Sequence, residues 1–305
     1  MMADTNMNNF MILSLNCARG EASTYEVLSF VSQNPMYCIV LLREPWLNAN
    51  NEPPPLFAFD MFMPTSMYSK CVTYIRKSAN LHPTPVFSES DSFLGISLHT
   101  LSFSFTMYNF YSPGRQHAIC HLFHSFQPNT NSLICGDFNS HHPSWYGHRA
   151  NEHRRQLSGD SRLVDNLVQK FIDLSLTICN TPGKYTHFPW NNSSPSIIGL
   201  TLTRGQCTDR LLDWTLRKDF GSDHLSTHLH LSLATQSPSP RLAWSKADWE
   251  VLGTSLRNER LDFSSLGTAQ EIHRAADNYT KALTGAIGKA VPIIDPAKPR
   301  RVRGW

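Results

Sequence analysis

The polar side chains of this 305-residue sequence that could do chemistry gather at the ends of short apolar runs. The densest group is Leu133-Ile134-Cys135-Gly136-Asp137-Phe138-Asn139-Ser140-His141-His142. Leu133 to Cys135 reads as a buried strand, and Gly136 lets the backbone turn or lets another group approach closely. Asp137 and Asn139 stand at i and i+2, so on an extended chain they project to one side. A carboxylate that accepts a proton beside an amide that donates to an oxyanion suits hydrolysis of a phosphodiester. Alone, Gly-Asp-x-Asn also closes ordinary turns, so the rest of the chain must decide.

The elements that position these groups alternate. Phe10 to Asn16 reads as a strand ending on an amide. Ser23 or Thr24 is placed to cap a helix carrying Tyr25, Val27, Leu28 and Val31. Met36 to Leu42 is a second apolar strand, followed by Arg43 and Glu44. Continuous apolar strands around a helix predict a sheet covered on both faces. Further strands are expected at Leu56 to Met61, Lys70 to Ile75, Phe93 to Leu98 and Leu101 to Phe110, the last running into Tyr111. Arg115 to Phe126 reads as a helix. Asp160 is placed to cap another, with Leu163, Val164, Leu167, Val168, Phe171 and Ile172 as its core stripe. Leu176 to Cys179, Ser196 to Leu202, Leu211 to Leu216 and His228 to Leu233 complete the strands. Thr186 opens one extended piece, and Ser222-Asp223-His224 precedes the last. Gln236 to Pro240 is a Ser/Pro linker, predicting domains at 9–233 and 234–305. Beyond it, Trp244 to Leu256 and Thr268 to Ala290 read as helices.

Composition narrows the class. A hydrophobic share of 41% with 17% charged residues is that of a globular protein. No apolar run reaches the length of a membrane span, and Met1 to Asn9 lacks the pattern of a secretory signal. Seven cysteines, several inside apolar runs, read as buried free thiols of a reducing compartment. The net charge of +3 is uneven: from Leu233 onward eleven Lys and Arg stand against seven Asp and Glu, so the tail is basic and the body is not. Such a tail suits an anionic partner or a solvated helical linker.

Asn16, Glu44, Tyr111, Asp137 with Asn139, Thr186, and Ser222-Asp223-His224 thus stand at strand ends in this order. Carboxylates for a divalent metal and for water, amide and phenol donors for a phosphate, and a histidine together compose a metal-assisted phosphodiesterase.

This ordered set resembles the endonuclease/exonuclease/phosphatase superfamily, and within it the apurinic-endonuclease-like domain of non-LTR (LINE-type) retrotransposons. The resemblance is carried by Ile12-Leu13-Ser14-Leu15-Asn16-Cys17, Leu42-Arg43-Glu44-Pro45-Trp46, Tyr111-Ser112-Pro113, Gly136-Asp137-Phe138-Asn139-Ser140-His141-His142-Pro143 and Ser222-Asp223-His224, and covers about Asn9 to Leu233. The Trp-rich, basic tail looks like the connector to a reverse transcriptase, which implies a truncated element or a nuclease portion retained on its own. The resemblance implies a four-layered α/β sandwich, two packed mixed sheets flanked by helices, with a helical C-terminal tail. It implies a Mg²⁺- or Mn²⁺-dependent nickase acting on double-stranded DNA as an intracellular, nuclear monomer with no membrane association. Glu44 and Asp223 would hold the metal, with Asn16 near it. Asp137 would orient or activate water, Asn139 and Tyr111 would bind the scissile phosphate, and His224 would stabilise or protonate it. Thr186 and Ser222 would support the phosphate site, and His142, a family feature, joins Asn16 among the substrate-binding residues.

One position departs from the family. Its usual Ser-x-Ile-Asp-Leu, whose Asp hydrogen-bonds the catalytic histidine, is here Ser196-Ile197-Ile198-Gly199-Leu200. Losing that carboxylate removes both the orientation of the histidine and the stabilisation of its charged form. By analogy with loss of a triad Asp, the rate falls on the order of 10³ to 10⁴. Asp209 is left open as a stand-in. The competing reading is a catalytically dead nucleic-acid-binding relic of the same fold. A phosphoinositide or nucleotide phosphatase is disfavoured by Glu44-Pro45-Trp46 and the tail.

Overall fold

The computed structural model describes residues 9–64, 69–86, 91–114, 123, 126–153, 161–191, 193–217, 219–234, 241–242, 247–258 and 268–294. The chain divides into two compact units, residues 1–235 and 236–305. The first holds two six-stranded sheets. One contains β1 (Asn9–Asn16), β2 (Tyr37–Arg43), β3 (Phe59–Phe62), β4 (Cys71–Arg76), β11 (Leu211–Leu216) and β12 (Thr227–Ser232), in the order β11-β12-β1-β2-β4-β3. The other contains β5 (Pro83–Val86), β6 (Phe93–His99), β7 (Ser104–Tyr111), β8 (Ser132–Asp137), β9 (Thr177–Ile178) and β10 (Gly199–Arg204), in the order β5-β6-β7-β8-β10-β9. Each is mixed: β1 and β2 are parallel, as are β7 and β8, and the other pairs are antiparallel. Among the described residues of this unit are helices α1 (Glu21–Gln33), α2 (Pro143–Tyr146), α3 (Ser161–Asp173) and α4 (Gln206–Arg210).

Strand alternation sorts the apolar runs into layers. Phe10 and Ile12 of β1, Ile39 and Leu41 of β2, Met107 of β7 and Leu133 and Cys135 of β8 share one cluster between the sheets. The intervening Leu13, Leu15, Val40 and Leu42 pack with Val27, Leu28 and Val31 of α1 on the outer face of the first sheet. Ile134, Tyr108 and Leu200 pack with Val164, Leu167 and Phe171 of α3 on the outer face of the second. Both faces of the central strands are therefore buried, which is why their sequences lack a polar face. Each fully buried Leu, Ile or Phe contributes about 1.5–3 kcal/mol, so these layers supply most of the driving force. The result is the expected four-layered α/β sandwich.

Several local readings are revised. The N-cap of α1 is Gly20, with no side-chain cap; Thr24 lies inside the first turn, where its hydroxyl donates to Gly20 O (2.8 Å) and accepts from Trp46 N (2.9 Å). A tertiary contact takes the hydroxyl the local reading assigned to a cap. Ile172 is 63% exposed because Val164, Leu167 and Phe171 define the α3 stripe and the next residue turns about 100° away from it. Gly136 makes no turn: it lies inside β8, and a Cβ there would meet Phe110 Cβ and Cδ1 and Phe138 Cε2, all at 2.9 Å. Cys17, Cys38, Cys71, Cys135 and Cys207 are buried free thiols, whereas Cys179 is partly exposed. The helix expected at 115–126 lies outside the described residues except Phe123 and Phe126, as do Asp160, the linker 236–240 and Trp244.

The second unit contains β13 (Arg241–Leu242), α5 (Trp249–Asn258), α6 (Ala269–Ala290) and β14 (Ile293–Ile294). Thr268 and Glu271 form a reciprocal capping box at the start of α6. Among the described residues no helix is long and apolar enough to cross a membrane.

Gly136→Ala forces its methyl into Phe110 and Phe138, and is expected to cost about 1–3 kcal/mol, read as a lower urea midpoint at unchanged slope. A second test follows from His228, buried between Tyr37 Oη (2.6 Å from Nδ1) and Ser226 Oγ (2.8 Å from Nε2). Burial lowers its pKa to about 4, with the Arg217 charge acting in the same direction. The unfolded chain, titrating near pH 6.5, then binds more protons than the folded one as pH falls from about 6.5 to 4. Stability present above that window is lost through it, by about 3 kcal/mol from this group. His228→Gln, which cannot titrate, should flatten the plot of unfolding free energy against pH by about one proton.

Candidate active site

The register of the sheets brings the polar strand ends to one edge. In parallel β1 and β2, Asn16 lies opposite Arg43, one residue before Glu44. In parallel β7 and β8, Tyr111 lies opposite Asp137, and antiparallel β10 places Gly199 against Asp137 from the other side. Antiparallel β12 starts beside the end of β1, with Thr227 opposite Ser14, so the preceding Ser222-Asp223-His224 segment reaches the same edge.

Hydrogen bonds join these ends. Asn16 Nδ2 donates to Asp137 Oδ2 (2.8 Å), linking the first sheet to the second. Ser222 Oγ donates to Asn16 O (2.7 Å) and accepts from His224 N (3.2 Å), which fixes the approach of the histidine. His224 Nε2 lies 3.8 Å from Asp137 Oδ2 and 3.8 Å from Asp223 Oδ1. Asn139 Nδ2 donates to Ser112 O (2.6 Å), and its backbone N donates to Asp137 Oδ1 (3.2 Å). Asn139 has φ +45°, so Asp137 and Asn139 are not on one extended strand; a left-handed turn, which Asn tolerates, brings both to the site. Glu44 is also left-handed, at φ +41°, as are Ala18 and Arg19 beside it. Non-glycine residues held there cost of order 1 kcal/mol each, and four of the nine among the described residues lie at this edge.

The charges are graded. Arg19 Nε donates to Glu44 Oε1 (3.1 Å) from an exposed position. Arg43 is buried below the site, donating through one terminal nitrogen to Ser14 Oγ (2.9 Å) and Asn109 Oδ1 (3.4 Å), while its Nε has no partner. Burial pushes the Tyr111 phenol well above its ordinary range, and the adjacent Glu44 carboxylate adds to this, so Tyr111 is a neutral donor. Burial likewise pushes the His224 pKa down, against the opposing pull of Asp137. Burial alone would raise Asp223, but the His187 hydrogen bond and the neighbouring imidazoles outweigh it and hold its carboxyl below the usual range. A cleft of about 620 Å³ opens beside Glu44, lined among others by Arg19, Trp46, Ser69 and Lys70.

Two named residues hold structural contacts. Thr186 Oγ1 accepts from Ile198 N (3.1 Å) and Gly199 N (2.9 Å), clipping the start of β10. His142 is the N-cap of α2: Nδ1 accepts from Ser144 N (3.1 Å) and Nε2 faces Asp165 (3.1 Å). Asp209 does not replace the acid missing at Gly199. It lies in α4, beyond the opposite end of β10, where Arg204 pairs with Ser132 at the start of β8. Among the described residues no carboxylate hydrogen-bonds the His224 ring. A Cβ added at Gly199 would meet the Thr186 side chain at 3.4 Å, an ordinary contact.

The residue that sequence reading missed is His187. Its Nε2 lies 3.3 Å from Asp223 Oδ2, its Nδ1 bonds Ser196 Oγ (2.9 Å), and its ring centroid is 4.5 Å from that of His224. Separated from Asp223 by 36 residues, it belongs to no local spacing pattern; only its position next to Thr186 hinted at it.

Comparison with known proteins bears on the fold. Residues 105–228 match the family described as Endonuclease-reverse transcriptase. A probable RNA-directed DNA polymerase from transposon BS of Drosophila melanogaster is 28% identical over 172 residues, covering 55% of this chain and 17% of that protein. The chain therefore spans only a small part of that relative. The endonuclease domain of TRAS1, a telomere-specific non-LTR retrotransposon, superposes with a TM-score of 0.58 at 17% identity, covering 74% of this chain and 100% of that one. The AP endonuclease LMAP from Leishmania major gives 0.58 at 12% identity, over 74% of this chain and 89% of that one. This chain has the endonuclease/exonuclease/phosphatase fold. The resemblance to the apurinic-endonuclease-like domains of non-LTR retrotransposons holds at the level of fold and of the matched family segment.

Within this endonuclease-like domain, Ser222→Ala removes both the Asn16 and His224 backbone contacts. An expected loss of about 1–3 kcal/mol follows, measured by chemical unfolding.

Proposed function

We propose that the chain is a divalent-metal-dependent endonuclease that nicks double-stranded DNA. The observation that carries this reading is the junction of Asn16, Asp137, Asp223 and His224, drawn from both sheets to one edge beside Glu44. The fold of the retrotransposon and AP endonucleases supports it.

The residues present fit a hard divalent ion. Glu44 and Asp223 offer carboxylate oxygens, and Asp223 Oδ1 is buried with no hydrogen-bond partner. Mg²⁺ or Mn²⁺ held there supplies charge stabilisation to a phosphodiester. The chain's own groups divide the remaining work. Asp137, fixed through Oδ2 by Asn16, is positioned to orient a water and take its proton. Tyr111, a neutral phenol, and Asn139 donate to the phosphate oxygens. His224, neutral in the resting site, hydrogen-bonds the phosphate or the leaving oxygen. Arg19 and Lys70 beside the Glu44 cleft provide cations for the neighbouring phosphates.

Gly199 favours a second reading, a nucleic-acid-binding relic, because the His224 ring has no carboxylate hydrogen bond to hold its orientation. Nicking of supercoiled plasmid in Mg²⁺ separates the two. The chain is expected to nick slowly, His224→Ala and Asp137→Ala to lose this by at least about 100-fold, and EDTA to abolish it. Gly199→Asp, whose Cβ would meet Thr186 at an ordinary 3.4 Å, is expected to raise the rate, by up to about 10³-fold. Duplex binding without nicking in all four folded proteins makes the relic reading the correct one.

A further inference from the structure

His187, Asp223 and His224 form the one cluster of metal-ligating side chains among the described residues whose ligand atoms all lie within 4.8 Å of one another. His187 Nε2 is 3.3 Å from Asp223 Oδ2, and His224 Nε2 is 3.8 Å from Asp223 Oδ1. Ligands around a tetrahedral ion with bonds near 2.0–2.1 Å stand about 3.3 Å apart, so small side-chain shifts close the set on one ion. The backbone holds all three in place. Phe188 N donates to Asp223 O (2.7 Å), and His187 and His224 face each other as a bridge between two extended segments. His187 is also oriented from behind: its Nδ1 bonds Ser196 Oγ (2.9 Å), an outer partner of the kind that aims a ligating imidazole. Asp223 Oδ1, buried and without a hydrogen-bond partner, supplies an unused acceptor.

Two imidazoles and one carboxylate are not the donor set of Mg²⁺, which takes oxygen ligands. They suit a borderline ion such as Zn²⁺ or Co²⁺, bound by three protein ligands with a fourth position open. We infer that His187, Asp223 and His224 bind a Zn²⁺-class ion, and that filling this site withdraws Asp223 and His224 from phosphodiester hydrolysis. The inhibitory consequence rests on the endonuclease reading; the binding does not. The thiols of Cys17, Cys71 and Cys135 are buried, and burial raises the pKa of each, which disfavours them as ligands.

The test uses the full chain, stripped of metal, with Co²⁺ as the spectroscopic probe. One Co²⁺ per chain is expected to give visible ligand-field absorption without sulfur-to-metal charge transfer, and Zn²⁺ should displace it. His187→Phe and Asp223→Asn should each weaken binding by at least about 10-fold, whereas His99→Gln, at a surface histidine of β6, should bind like the parent. Circular dichroism establishes which variants are folded, and Asp223→Asn decides if His187→Phe is not. Absence of the bands, thiolate charge transfer, or unchanged affinity in the folded variants overturns the proposal. In a parallel plasmid assay, Zn²⁺ should suppress Mg²⁺-supported nicking. A chain that binds Co²⁺ but never nicks removes the endonuclease reading and its inhibition while the metal site stands. One that nicks but binds no Co²⁺ removes the metal site alone.

Discussion

The hydrogen bond from Asn16 Nδ2 to Asp137 Oδ2 is the constraint on which the site depends, because its two ends belong to different sheets. A sandwich held only by apolar contact permits small slides of one sheet over the other. A buried amide–carboxylate bond of fixed length does not, and leaving its acceptor unpaired would carry the full desolvation cost of a charge. Just beneath, Asn109 of β7 donates to the carbonyls of Leu42 and Val72 in the opposite sheet, both at 3.0 Å. Arg43 reaches from β2 to Asn109. This polar layer stitches the sheets together at the end where Asn16, Tyr111 and Asp137 gather, while the interface beyond it is mostly apolar, with Trp214 Nε1 donating to Thr201 Oγ1 across it (3.1 Å).

Beyond that layer the backbone leaves regular geometry. The left-handed residues Ala18, Arg19, Glu44 and Asn139 follow directly on the ends of β1, β2 and β8. Each turn redirects a side chain that a continuing strand would have sent into a core face. The strain is tolerated because the strands behind are buried on both sides and do not yield. Rigid layers thus hold a strained edge, the one at which the proposed site lies.

At that edge His224 is unusual in its surroundings. Burial favours its neutral form, both nearby carboxylates stand at 3.8 Å, and the nearest ring is that of another histidine. Gly199 places no side chain beside Asp137, and the segment after Thr186 brings the His187 ring against His224.

Apolar patterning was enough to mark most of the strands, the covered faces and most of the polar strand ends, but not β5 (Pro83–Val86), where Pro83, Thr84 and Pro85 give no apolar run. Unbroken apolar runs such as Tyr37–Arg43 have one stable destination, a strand buried on both sides, and a residue just past such a run must emerge at a rim. Asn16, Glu44, Tyr111, Asp137 and His224 were legible for that reason. Tertiary structure alone decided what depends on register and on distant partners. The hydroxyl of Thr24 was drawn to Trp46, which left the cap of α1 to Gly20. Thr186 became a backbone clip and His142 a helix cap, since their nearest unsatisfied donors lay close at hand. Asp209 was carried to the far end of β10 by the direction of the strand. His187 met Asp223 and His224 only when two segments far apart in the chain paired, a contact fixed by backbone hydrogen bonds that no local spacing encodes.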